Sequence, residues 1–558
     1  MTRTIVVIGG AHGGPVAAAR ARQFNETARI ILVEKSSHVT WVQADLRYYL
    51  ESDLTLLEKS LSEKEHYFAR HFNIDVRVNT KAVALDMDAK FVLLERQDGV
   101  ERVSFDEVIF AAGSYSKSIN VKTLEGSAVS HFRNLADILK IKAAIHQGAK
   151  KAVVLGCGFY GIEAAQGLKA AGLSVDIVEK APRILPRFSL SSAQAIVHKL
   201  QEQGIRIHLT DYLVHAHAKK PNGFDLHLAS EKVLDADIVI VTVGCLPRSK
   251  LLQDAGAALQ KDGSVRVDEQ MLTTLPSVYA CGSAISVLQA ATHERVWIPG
   301  PSVVERTAQI AGHNAATIKL ATPEIFKPVT STQMICVNDF WFARTGLTLP
   351  EARKHFGEAA VFTSTVHSRA AEAWIKGGDI MVSLIVDRIS QRIIGGEVWG
   401  KTGVSRRIDM ISVAVMEKWS PDKLIDLDMA YAPLLGPAFD PLKEAATLAN
   451  LSLLEKTKTM PGETLALWIA EQRLFTLIDV SKRQTENSKW PSHVRYMSLE
   501  NLREQIHVIE KNQPIIVSSR SGRRAFLAHR VLLQLGYPEV YHLDGGELSW
   551  SLMMGDAI

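Results

Sequence analysis

The stretch Thr4–Glu34 constrains the fold of this chain more than any other part of its sequence. An apolar run, Ile5–Ile8, leads into a glycine-rich turn and a segment rich in Ala and Arg, and a second apolar run, Ile30–Val33, ends in Glu34. This order predicts strand, tight turn, helix and strand, the βαβ unit of a dinucleotide site. The acid stands at the expected offset, which a glycine-rich turn in an ordinary α/β core would not require.

The glycine-rich turn supplies the first candidate cofactor residues. Gly9 allows the tight turn, Ala11 lets the backbone approach a pyrophosphate, and Gly14 permits close helix–strand packing. The helix N-terminus then faces the phosphates, the acid can bind a ribose, and the role of the loop histidine is left open. A later apolar strand also closes on small residues, which suits a backbone passing close to a cofactor. The predicted residues are Gly9, Gly10, Ala11, His12, Gly13, Gly14, Glu34, Lys35, Ala112 and Gly113.

A second glycine motif repeats this order later in the chain. A strand at Ala152–Leu155 precedes the turn Gly156–Gly161, a helix follows, and the next strand ends in Glu179. Two complete motifs predict two nucleotides brought together, most simply a flavin on the first and a nicotinamide on the second. The acid favours a free ribose hydroxyl, hence NADH over NADPH, although Lys180 and Arg183 follow closely and could serve a phosphate. The predicted residues here are Gly156, Gly158, Gly161 and Glu179, with Gly244 in a later loop.

Composition and charge narrow the function classes. A chain of 558 residues with 47% apolar and 22% charged residues is typical of a globular protein with several domains. A net charge of +4 calls for no nucleic-acid partner, and no apolar run approaches the ~18 residues of a membrane span. No secretory leader precedes the first strand, so we expect a cytoplasmic location. The four cysteines lie far apart without metal-like spacing, so we expect buried thiols and no metal site: Cys157, Cys245, Cys281 and Cys336.

The remainder of the chain indicates further domains. A charged helix is predicted over residues 53–72. Past Pro328 alternating strands precede a helix, Val404–Lys418, and residues 451–463 form a polar linker with Pro461-Gly462. The last hundred or so residues predict another α/β unit, in which the loop Ser519–Arg524 enters a helix and its amides and arginines could cradle an anion.

Five stretches together resemble the coenzyme A-disulfide reductase and NADH-dependent persulfide reductase group with a fused C-terminal rhodanese domain, within the pyridine nucleotide-disulfide oxidoreductase family. They are VVIGGAHGGPVAAARARQ, VVLGCGFYGIEAA, VDEQMLTTLPSVYACGS, GVSRRIDMI and AYAPLLGPAFDP. The resemblance implies an α/β protein with two Rossmann-like nucleotide-binding domains, an α+β dimerisation domain and a rhodanese-like α/β domain. The expected bounds are 1–117 with 238–325 for FAD, 118–237 for NAD(P)H, 326–450 for dimerisation and 463–558 for the rhodanese-like domain.

The resemblance also implies roles for individual residues. Tyr431 matches a tyrosine that a partner subunit of a homodimer brings near the flavin, and Glu163 matches a glutamate near the nicotinamide; the alternative for Glu163 is a helix-surface acid. Both are the candidate catalytic residues. Gly282 and Ser283 match the pair at the flavin ribityl chain, where the family has Gly-Asp. For a coenzyme A-like ligand the candidates are Arg20, Arg22, Thr40 and Gln43, although the arginines equally suit a solvated helix face.

The chemistry is where this sequence departs from the family pattern. Ala44 stands where the resemblance expects the redox cysteine, and a methyl group cannot attack a disulfide. Ser519 stands where the rhodanese loop expects its cysteine, and a hydroxyl without an adjacent base is inert to sulfur transfer. The stretch His367–Ala370 also differs, which indicates a remodelled substrate pocket. Disulfide reduction and sulfur transfer by the usual routes are therefore not expected.

Three hypotheses remain open. The first is an FAD-dependent NAD(P)H oxidoreductase that passes hydride from NADH to the flavin and on to an unidentified acceptor, such as oxygen, a quinone or a carrier protein, without a protein thiol. The second is a catalytically degenerate nucleotide- or coenzyme A-binding module with a regulatory or docking role. The third is a reductase acting on a substrate persulfide directly at the flavin. The retained second nucleotide motif favours the first, because a scaffold needs no hydride donor.

Overall fold

The chain folds into two compact units in the computed structural model. The model describes residues 2–52, 66–121, 123–124, 128–219, 223–317, 322–372, 374, 378–482, 490–491 and 494–555. Unit 1 comprises Met1–Pro182, Gly204–Gln289 and His293–Val329, and unit 2 comprises Arg183–Gln203, Ala290–Thr292 and Thr330–Ile558. Of the helix predicted over 53–72, residues 66–72 are helical and 53–65 lie outside the described residues.

Unit 1 is built from strands with helices between them. Its strands are β1 (Thr4–Ile8), β2 (Arg29–Val33), β3 (Asp75–Arg77), β4 (Lys81–Asp86), β5 (Phe91–Arg96), β6 (Gly99–Ser104), β7 (Glu107–Phe110), β8 (Ser114–Ser116), β9 (Val129–His131), β10 (Lys151–Leu155), β11 (Ser174–Glu179), β12 (Arg206–Leu209), β13 (Leu213–Ala218), β14 (Phe224–Leu228), β15 (Val233–Ala236), β16 (Ile238–Val241), β17 (Cys245–Pro247), β18 (Val278–Ala280), β19 (Val287–Leu288) and β20 (Arg295–Val296). Its helices are α1 (Gly13–Phe24), α2 (Leu46–Glu51), α3 (Leu135–His146), α4 (Phe159–Ala170), α6 (Lys250–Asp254) and α7 (Pro301–Ala316), with α5 (Leu190–Glu202) in unit 2.

The first sheet carries the opening glycine motif. Its strand order is β18-β7-β1-β2-β3, and β1 pairs in parallel with β2 and β7, with Ile5 opposite Ile30. Ile5, Val6 and Val7 are fully buried, as expected for a central parallel strand covered on both faces. Because β18 joins strands from the first 110 residues, this sheet draws on two separate parts of the chain.

The second sheet repeats the arrangement around the second motif. Its order is β12-β11-β10-β16-β9, and β10 pairs in parallel with β11 and β16. The expected boundary at residue 238 is therefore wrong: Ile238–Val241 completes this second sheet rather than the first. The physical reason is that a fully buried apolar strand can pair in either sheet, and its partner is decided by tertiary contacts. Between β12 and β16 the strands β13, β14 and β15 form a separate antiparallel sheet.

Unit 2 contains an antiparallel sheet packed against helices. Its strands are β21 (Gln333–Val337), β22 (Phe340–Gly346), β23 (Val361–Arg369), β24 (Asp379–Asp387) and β25 (Arg392–Gly400), in the order β21-β22-β25-β24-β23. Its helices are α8 (Leu349–Phe356), α9 (Val404–Met416), α10 (Pro421–Ile425) and α11 (Pro441–Leu453). The helix α5, expected in the domain 118–237, belongs to this unit because Ser189 and Ser192 both donate to the buried Glu397 at 2.7 Å.

The C-terminal part of unit 2 forms a second, parallel sheet. It contains β26 (Thr459–Met460), β27 (Thr476–Asp479), β28 (Arg495–Tyr496), β29 (Ile515–Ser518) and β30 (Val540–Leu543), in the order β26-β30-β29-β27-β28. The helices are α12 (Gly462–Ala470), α13 (Leu502–Gln505), α14 (Arg523–Gln534) and α15 (Gly546–Met553). Within the described ranges, 3-10 turns lie at Gln43–Asp45, Gly282–Ala284 and Ile506–Val508.

The two sheets of unit 2 are joined by polar contacts around Asp544. Its carboxylate accepts from the Thr363 hydroxyl at 2.6 Å and from the amide and hydroxyl of Thr365 at 2.6 and 2.9 Å. The Nε2 atom of His367 lies 2.8 Å from the Ser549 hydroxyl. Burial raises the pKa of Asp544, while these donors act in the opposite direction. The carboxylate is therefore held by hydrogen bonds in place of water.

Candidate functional site: two glycine turns and the cavity beside the first

The first glycine turn is packed too tightly to admit a side chain at Gly9 or Gly14. Gly9 has φ of +112°, and a Cβ there would lie 2.4 Å from the Ala111 carbonyl oxygen. A Cβ on Gly14 would lie 1.7 Å from the Gly9 oxygen. The contact brings the start of α1 against the end of β1, as a dinucleotide turn requires.

Glu34, at the end of β2, holds this turn in place. Its carboxylate accepts from the Gly10 amide at 2.6 Å, from the Ser36 amide at 2.8 Å and from the Ser36 hydroxyl at 2.7 Å. A carboxylate has about four acceptor positions, so one remains for a ribose hydroxyl.

The N-terminus of α1 differs from that of a purely structural helix. Among the described residues, no side chain caps α1 at His12, and the first turn carries no acid. By contrast, α3 begins with a capping box in which Asn134 and Asp137 satisfy each other's backbone amides. The amides at the start of α1 are therefore open to an anion such as a pyrophosphate.

A cavity of about 390 Å³ lies beside this turn. Predicted residues that line it are Gly9, Ala11, His12, Gly13, Glu34, Lys35, Gln43, Ala112, Gly113, Gly282 and Ser283. A neighbouring cavity of about 340 Å³ shares Gly9, Glu34, Lys35, Ala112 and Arg248 with it, so the two extend along the carboxyl ends of β1, β2 and β7. Ligands of parallel α/β sheets bind at this edge.

The cavity walls carry positive charge. Lys35, Arg133 and Arg248 all line the larger cavity. Desolvation lowers the pKa of Lys35 and Arg248 lowers it further, while desolvation also lowers the pKa of Arg248. Like charges that depress one another in this way are relieved by a bound anion.

The segment around Gln43 meets the second glycine motif at this cavity. The Gln43 amide lies 2.8 Å from the Tyr160 hydroxyl. In the amide orientation that satisfies both neighbours, Nε2 donates to Tyr160 and Oε1 accepts from Arg133 at 2.8 Å. Tyr160, which belongs to the second turn, therefore lines the cavity of the first.

The second glycine turn has the same construction as the first. Gly156 has φ of +102°, and a Cβ on Gly161 would lie 2.0 Å from the Gly156 oxygen. Glu179 accepts from the Cys157 amide at 2.7 Å and from the Ala181 amide at 2.8 Å. Within the described segment, α4 has no side-chain cap at Gly158 and no acid in its first turn. A Cβ on Gly158 would meet nothing within 4 Å, which leaves room for a ligand.

These observations fit FAD at the first turn and a nicotinamide nucleotide at the second. Both turns combine an uncapped helix N-terminus with an acid at the end of the next strand. The helix amides can donate to a pyrophosphate and the acid can accept from a ribose hydroxyl, as dinucleotide binding requires. Ser283, which the resemblance predicts at the ribityl chain, lines the cavity, and its carbonyl accepts from the Trp297 indole at 3.0 Å. The serine hydroxyl can still form one hydrogen bond.

The candidate catalytic residues lie outside the lining of this cavity. Glu163 on α4 faces Arg47 on α2, with 3.5 Å between Oε2 and Nη1, and burial raises its pKa against the effect of Arg47. Tyr431 is exposed in unit 2 and donates to Glu372 at 3.1 Å. It lies among exposed apolar side chains of the same segment: Leu434, Leu435 and Phe439. The roles of Glu163 and Tyr431 therefore stay predictions.

The expectation that Arg22 meets coenzyme A phosphates is contradicted by its hydrogen bonds. Its guanidinium is buried and donates to the carbonyls of Asn25, Glu26, Phe72 and Asn73 at 2.6–3.1 Å. Four of its five N–H groups are thus occupied by backbone.

The other proposed coenzyme A residues have different surroundings. Arg20 pairs with Glu324 at 2.9 Å, and its guanidinium lies over the Phe24 ring. The backbone amide of Thr40 donates to the Gly10 carbonyl at 2.8 Å, and φ at Thr40 is +61°. Of the four candidates, Gln43 lines the cavity.

Gly244, predicted in a loop near the second nucleotide, has φ of +109°, and its carbonyl accepts from the Lys117 amide at 3.0 Å.

The thiols of the chain are poor nucleophiles where the nucleotide turns lie. Burial raises the pKa of Cys281 to about 12 and also raises that of Cys157. Both side chains are buried, while Cys245 and Cys336 are partly exposed. Ala44 is exposed in the 3-10 turn beside Gln43.

In the loop Ser519–Arg524, backbone amides of the C-terminal domain already donate hydrogen bonds to Ser519. The hydroxyl of the buried Ser519 accepts from the Ala525 amide at 3.1 Å, and its carbonyl accepts from the Glu547 amide at 3.0 Å. Arg523, one of the arginines expected to cradle an anion, forms an ion pair with Glu444 and donates to the Ser368 hydroxyl at 2.8 Å. The charge of Arg523 is therefore already compensated.

Several cavity residues escaped the sequence analysis: Tyr160, Arg133, Arg248 and Pro299. Tyr160 lay inside the second motif, but no pattern told that its ring reaches the first site. Arg248 follows directly after β17, and the end of a short strand beside a nucleotide turn was a usable indication of its place.

Comparison with known proteins agrees with this geometry. The family model "Pyridine nucleotide-disulphide oxidoreductase" matches residues 3–305, more than half of the chain. The chain therefore belongs to the pyridine nucleotide-disulphide oxidoreductase family, whose cofactors are FAD and NAD(P)H. The dimerisation domain of that family matches residues 332–442, which supports a homodimer, and a rhodanese-like domain matches 470–553.

Particular relatives confirm the resemblance and the fold class. The chain is 28% identical over 456 residues to an NADH oxidase of Methanocaldococcus jannaschii, covering 81% of this chain and 99% of the relative. It is 25% identical over 437 residues to a coenzyme A disulfide reductase of Staphylococcus haemolyticus, covering 77% and 96%. Among solved structures, reduced CoADR-RHD of Bacillus anthracis matches with a TM-score of 0.92 and 25% identity over 99% of this chain and 98% of that one. An NAD-dependent persulfide reductase from A. fulgidus matches with a TM-score of 0.87 and 27% identity over 98% and 100%. No helix in the described part of the chain has the length and apolar character needed to cross a bilayer.

Proposed function

We propose that this protein is an FAD-dependent oxidoreductase that passes hydride from NADH to the flavin and on to an acceptor without a redox thiol of its own. The observation that carries the proposal is the convergence of the two glycine turns. Tyr160 of the second turn lines the cavity of the first and bonds to Gln43 there. Two nucleotides bound to these turns would meet at this cavity, as hydride transfer requires.

The first turn has the residues to hold FAD. The amides at the start of α1, together with Lys35 and Arg248, would bind the pyrophosphate, and Glu34 would bind a ribose. Ala112 and Gly113, which also line the cavity, would let the backbone approach the flavin, and Ser283 would offer a hydroxyl to its ribityl chain. When bound, FAD supplies a two-electron acceptor for the nicotinamide hydride.

The second turn has the residues to hold NADH. The space beside Gly158 would admit the pyrophosphate, and the free acceptor capacity of Glu179 would bind the adenosine ribose. Lys180 lies over the Tyr212 ring at 5.3 Å, and Arg183 donates to the Pro186 carbonyl at 2.6 Å. Both basic residues near Glu179 thus have other partners, which supports NADH over NADPH.

An acceptor would have to meet the flavin directly. Ala44 offers no thiol, and the thiols of Cys157 and Cys281 are buried with raised pKa values. The similarity to an NADH oxidase of M. jannaschii is consistent with oxygen as one such acceptor, and the similarity to coenzyme A disulfide reductases with a coenzyme A derivative as a ligand. We place Tyr431 of a partner subunit beside this site in a homodimer. We also propose a cytoplasmic location.

The test is a visible absorption spectrum of the purified protein followed by an anaerobic NADH titration. A yellow protein that bleaches with one equivalent of NADH per flavin supports the proposal, and acceptors can then be screened by turnover. A yellow protein that NADH does not bleach, or a colourless one that refuses added FAD, would instead favour the regulatory or docking module.

A variant tests whether the missing thiol alone prevents disulfide reduction, independently of whether the protein binds its cofactors. Ala44→Cys adds a thiol at an exposed position in the turn that contains Gln43. Gain of coenzyme A-disulfide reduction in this variant would support a persisting coenzyme A pocket, with Ala44 as the missing thiol position. If the variant gains no coenzyme A-disulfide reduction, the pocket beside Ala44 has been rebuilt and no longer takes coenzyme A disulfide.

A further inference from the structure

Three histidines share the outer face of the small sheet formed by β13, β14 and β15. His215 and His217 alternate along β13, and His227 is the partner of His215 across the antiparallel pair with β14. The residues between and beside them, Ala216, Leu226 and Leu228, are buried. Because side chains alternate in a strand, the three imidazoles point away from the core to one side.

The nitrogen atoms of these rings converge. One nitrogen from each of His215, His217 and His227 lies within 4.8 Å of the other two. The Nε2 atoms of His215 and His217 are 2.6 Å apart, and the rings of His215 and His227 stack with 4.6 Å between centroids. An N–H···N hydrogen bond would account for the first pair but gives no reason for the third ring to join them.

The acidic side chains beside the three imidazoles have a cationic partner of their own. The nearby carboxylates of Asp225 and Asp235 are paired with Lys219 at 2.6 and 2.9 Å. The histidine nitrogens are thus the available donor set of this face.

We propose that His215, His217 and His227 form a binding site for a divalent transition-metal ion of the Zn²⁺ class. Imidazole ligands suit Zn²⁺, and three histidines with an open fourth position make a known type of zinc site. Tetrahedral Zn–N bonds of ~2.0–2.1 Å separate neighbouring nitrogens by about 3.3 Å. The rings reach this spacing by small side-chain rotations, since His217 is exposed and the other two are only half-buried.

A metal at this place would cross-link β13 and β14. The next strand, β15, is followed after one residue by β16, which pairs with β10 in the sheet of the second glycine turn. The folded sheet binds the ion and the unfolded chain lacks the assembled site, so metal stabilises this part of the protein by mass action. This inference is independent of the proposed redox activity.

The test is a calorimetric titration of tag-free, chelator-treated full-length protein with ZnCl₂. We expect one Zn²⁺ per chain, and His217→Gln and His227→Gln should each weaken the affinity by at least ~10-fold, since even outer-shell partners of a metal are worth 10–100-fold. The matched control is His146→Gln, which removes an exposed histidine at the end of α3 and should leave the affinity unchanged.

A second measurement covers the case in which a variant folds less well. Without metal, the melting temperatures of the parent and of His227→Gln are compared, and Zn²⁺ should then raise only that of the parent. X-ray absorption of the zinc-loaded protein should show imidazole scattering from three ligands. Equal affinity in the parent and in the double variant His215→Gln/His227→Gln, or no zinc binding by the parent, overturns the proposal.

Discussion

The turns Gly9–Gly14 and Gly156–Gly161 place nearly the same backbone at the ends of two different sheets. In both, the first glycine has a positive φ, and the last admits no Cβ because a carbonyl oxygen lies 1.7 or 2.0 Å from where it would be. In both, an acid from the next strand accepts an amide of the turn. The shared parts are those that hold a dinucleotide backbone.

The two turns differ in the residues between these fixed points. Gly13 of the first turn corresponds to Tyr160 of the second, and Gly10 corresponds to Cys157. At this position the first turn has a glycine, which has no side chain to occupy the cavity. The second turn has Tyr160, whose ring lines that same cavity. The same turn geometry can therefore have two uses. The first turn borders its own cavity, and the second also contributes a side chain to the wall of the first turn's cavity.

The largest effect should come from filling the closest contact in either turn. Gly14→Ala and Gly161→Ala put a methyl group against the carbonyl oxygens of Gly9 and Gly156, and each should lower the free energy of unfolding by about 3 kcal/mol. Thermal unfolding monitored by flavin fluorescence measures this loss of stability. The matched control is Gly158→Ala, whose Cβ meets open space. A parental melting temperature for Gly161→Ala would contradict the tight packing of the second turn.

The next effect distinguishes the turns by ligand. Gly158→Val should fold normally, because φ is −83° and nothing lies near the new Cβ, but its side chain occupies the space left for the NADH pyrophosphate. We expect NADH affinity to fall by ~100-fold, about 2.7 kcal/mol, with FAD content unchanged. Anaerobic bleaching titrations measure the affinity. Unchanged reduction kinetics would remove the assignment of NADH to this turn.

A smaller loss of stability should follow from removing the hydrogen bond between Tyr160 and Gln43 at the cavity wall. Tyr160→Phe removes the hydroxyl that meets the Gln43 amide, and Gln43→Leu removes the other partner. Each should cost about 1 kcal/mol of stability, and a double-mutant cycle should give a coupling of similar size because the two changes break one hydrogen bond. Urea unfolding provides the free energies. Strictly additive losses would mean that the contact does not join the two turns.

The smallest effect concerns the thiol that replaces a glycine in the second turn. Burial raises the pKa of Cys157, so it stays protonated at pH 8 and should resist iodoacetamide, while the partly exposed Cys245 and Cys336 react. Mass spectrometry of labelled peptides checks this. Cys157→Ala should retain NADH-dependent flavin reduction. Rapid labelling of Cys157 in the folded protein would reopen a thiol mechanism.

The buried thiol beside the first turn adds a pH dependence with a defined sign. The pKa of Cys281 is about 12 in the folded protein against 9.0 for a free thiol. The folded state therefore favours the protonated form, and its contribution to stability is complete below pH 9 and lost as the pH rises from 9 towards 12. Cys281→Ala should flatten the alkaline decline of the melting temperature. An unaltered decline would assign it to other groups.

The sequence was most informative where function depends on a short stretch of chain. The glycines, the acids Glu34 and Glu179 and the flanking strands lie within about 30 residues of one another in each motif, so their spacing alone predicted both turns. It was misleading for Arg22, whose hydrogen-bond partners include Phe72 and Asn73 far along the chain. It also misassigned Ile238–Val241, because a buried apolar strand does not indicate which sheet it joins.

Two further features depended on contacts that no spacing encodes. Tyr160 reaches Gln43 across 117 positions of sequence. The histidines of β13 and β14 come together through an antiparallel register that contains an irregularity between Leu213 and His215. Because a shift of one residue would turn every side chain of β13 to the other face, the cluster could be recognised only once that register was known.

Asp544 has a consequence for how this chain can be divided. Its carboxylate replaces water with the hydroxyls and amide of Thr363 and Thr365, so the C-terminal sheet and the antiparallel sheet of unit 2 share one polar seam. Cutting the chain between α11 and β26 would leave Asp544 on one fragment and Thr363 and Thr365 on the other, each exposed to water. The C-terminal sheet is thus attached to its neighbour by hydrogen bonds and is not held by the chain connection alone.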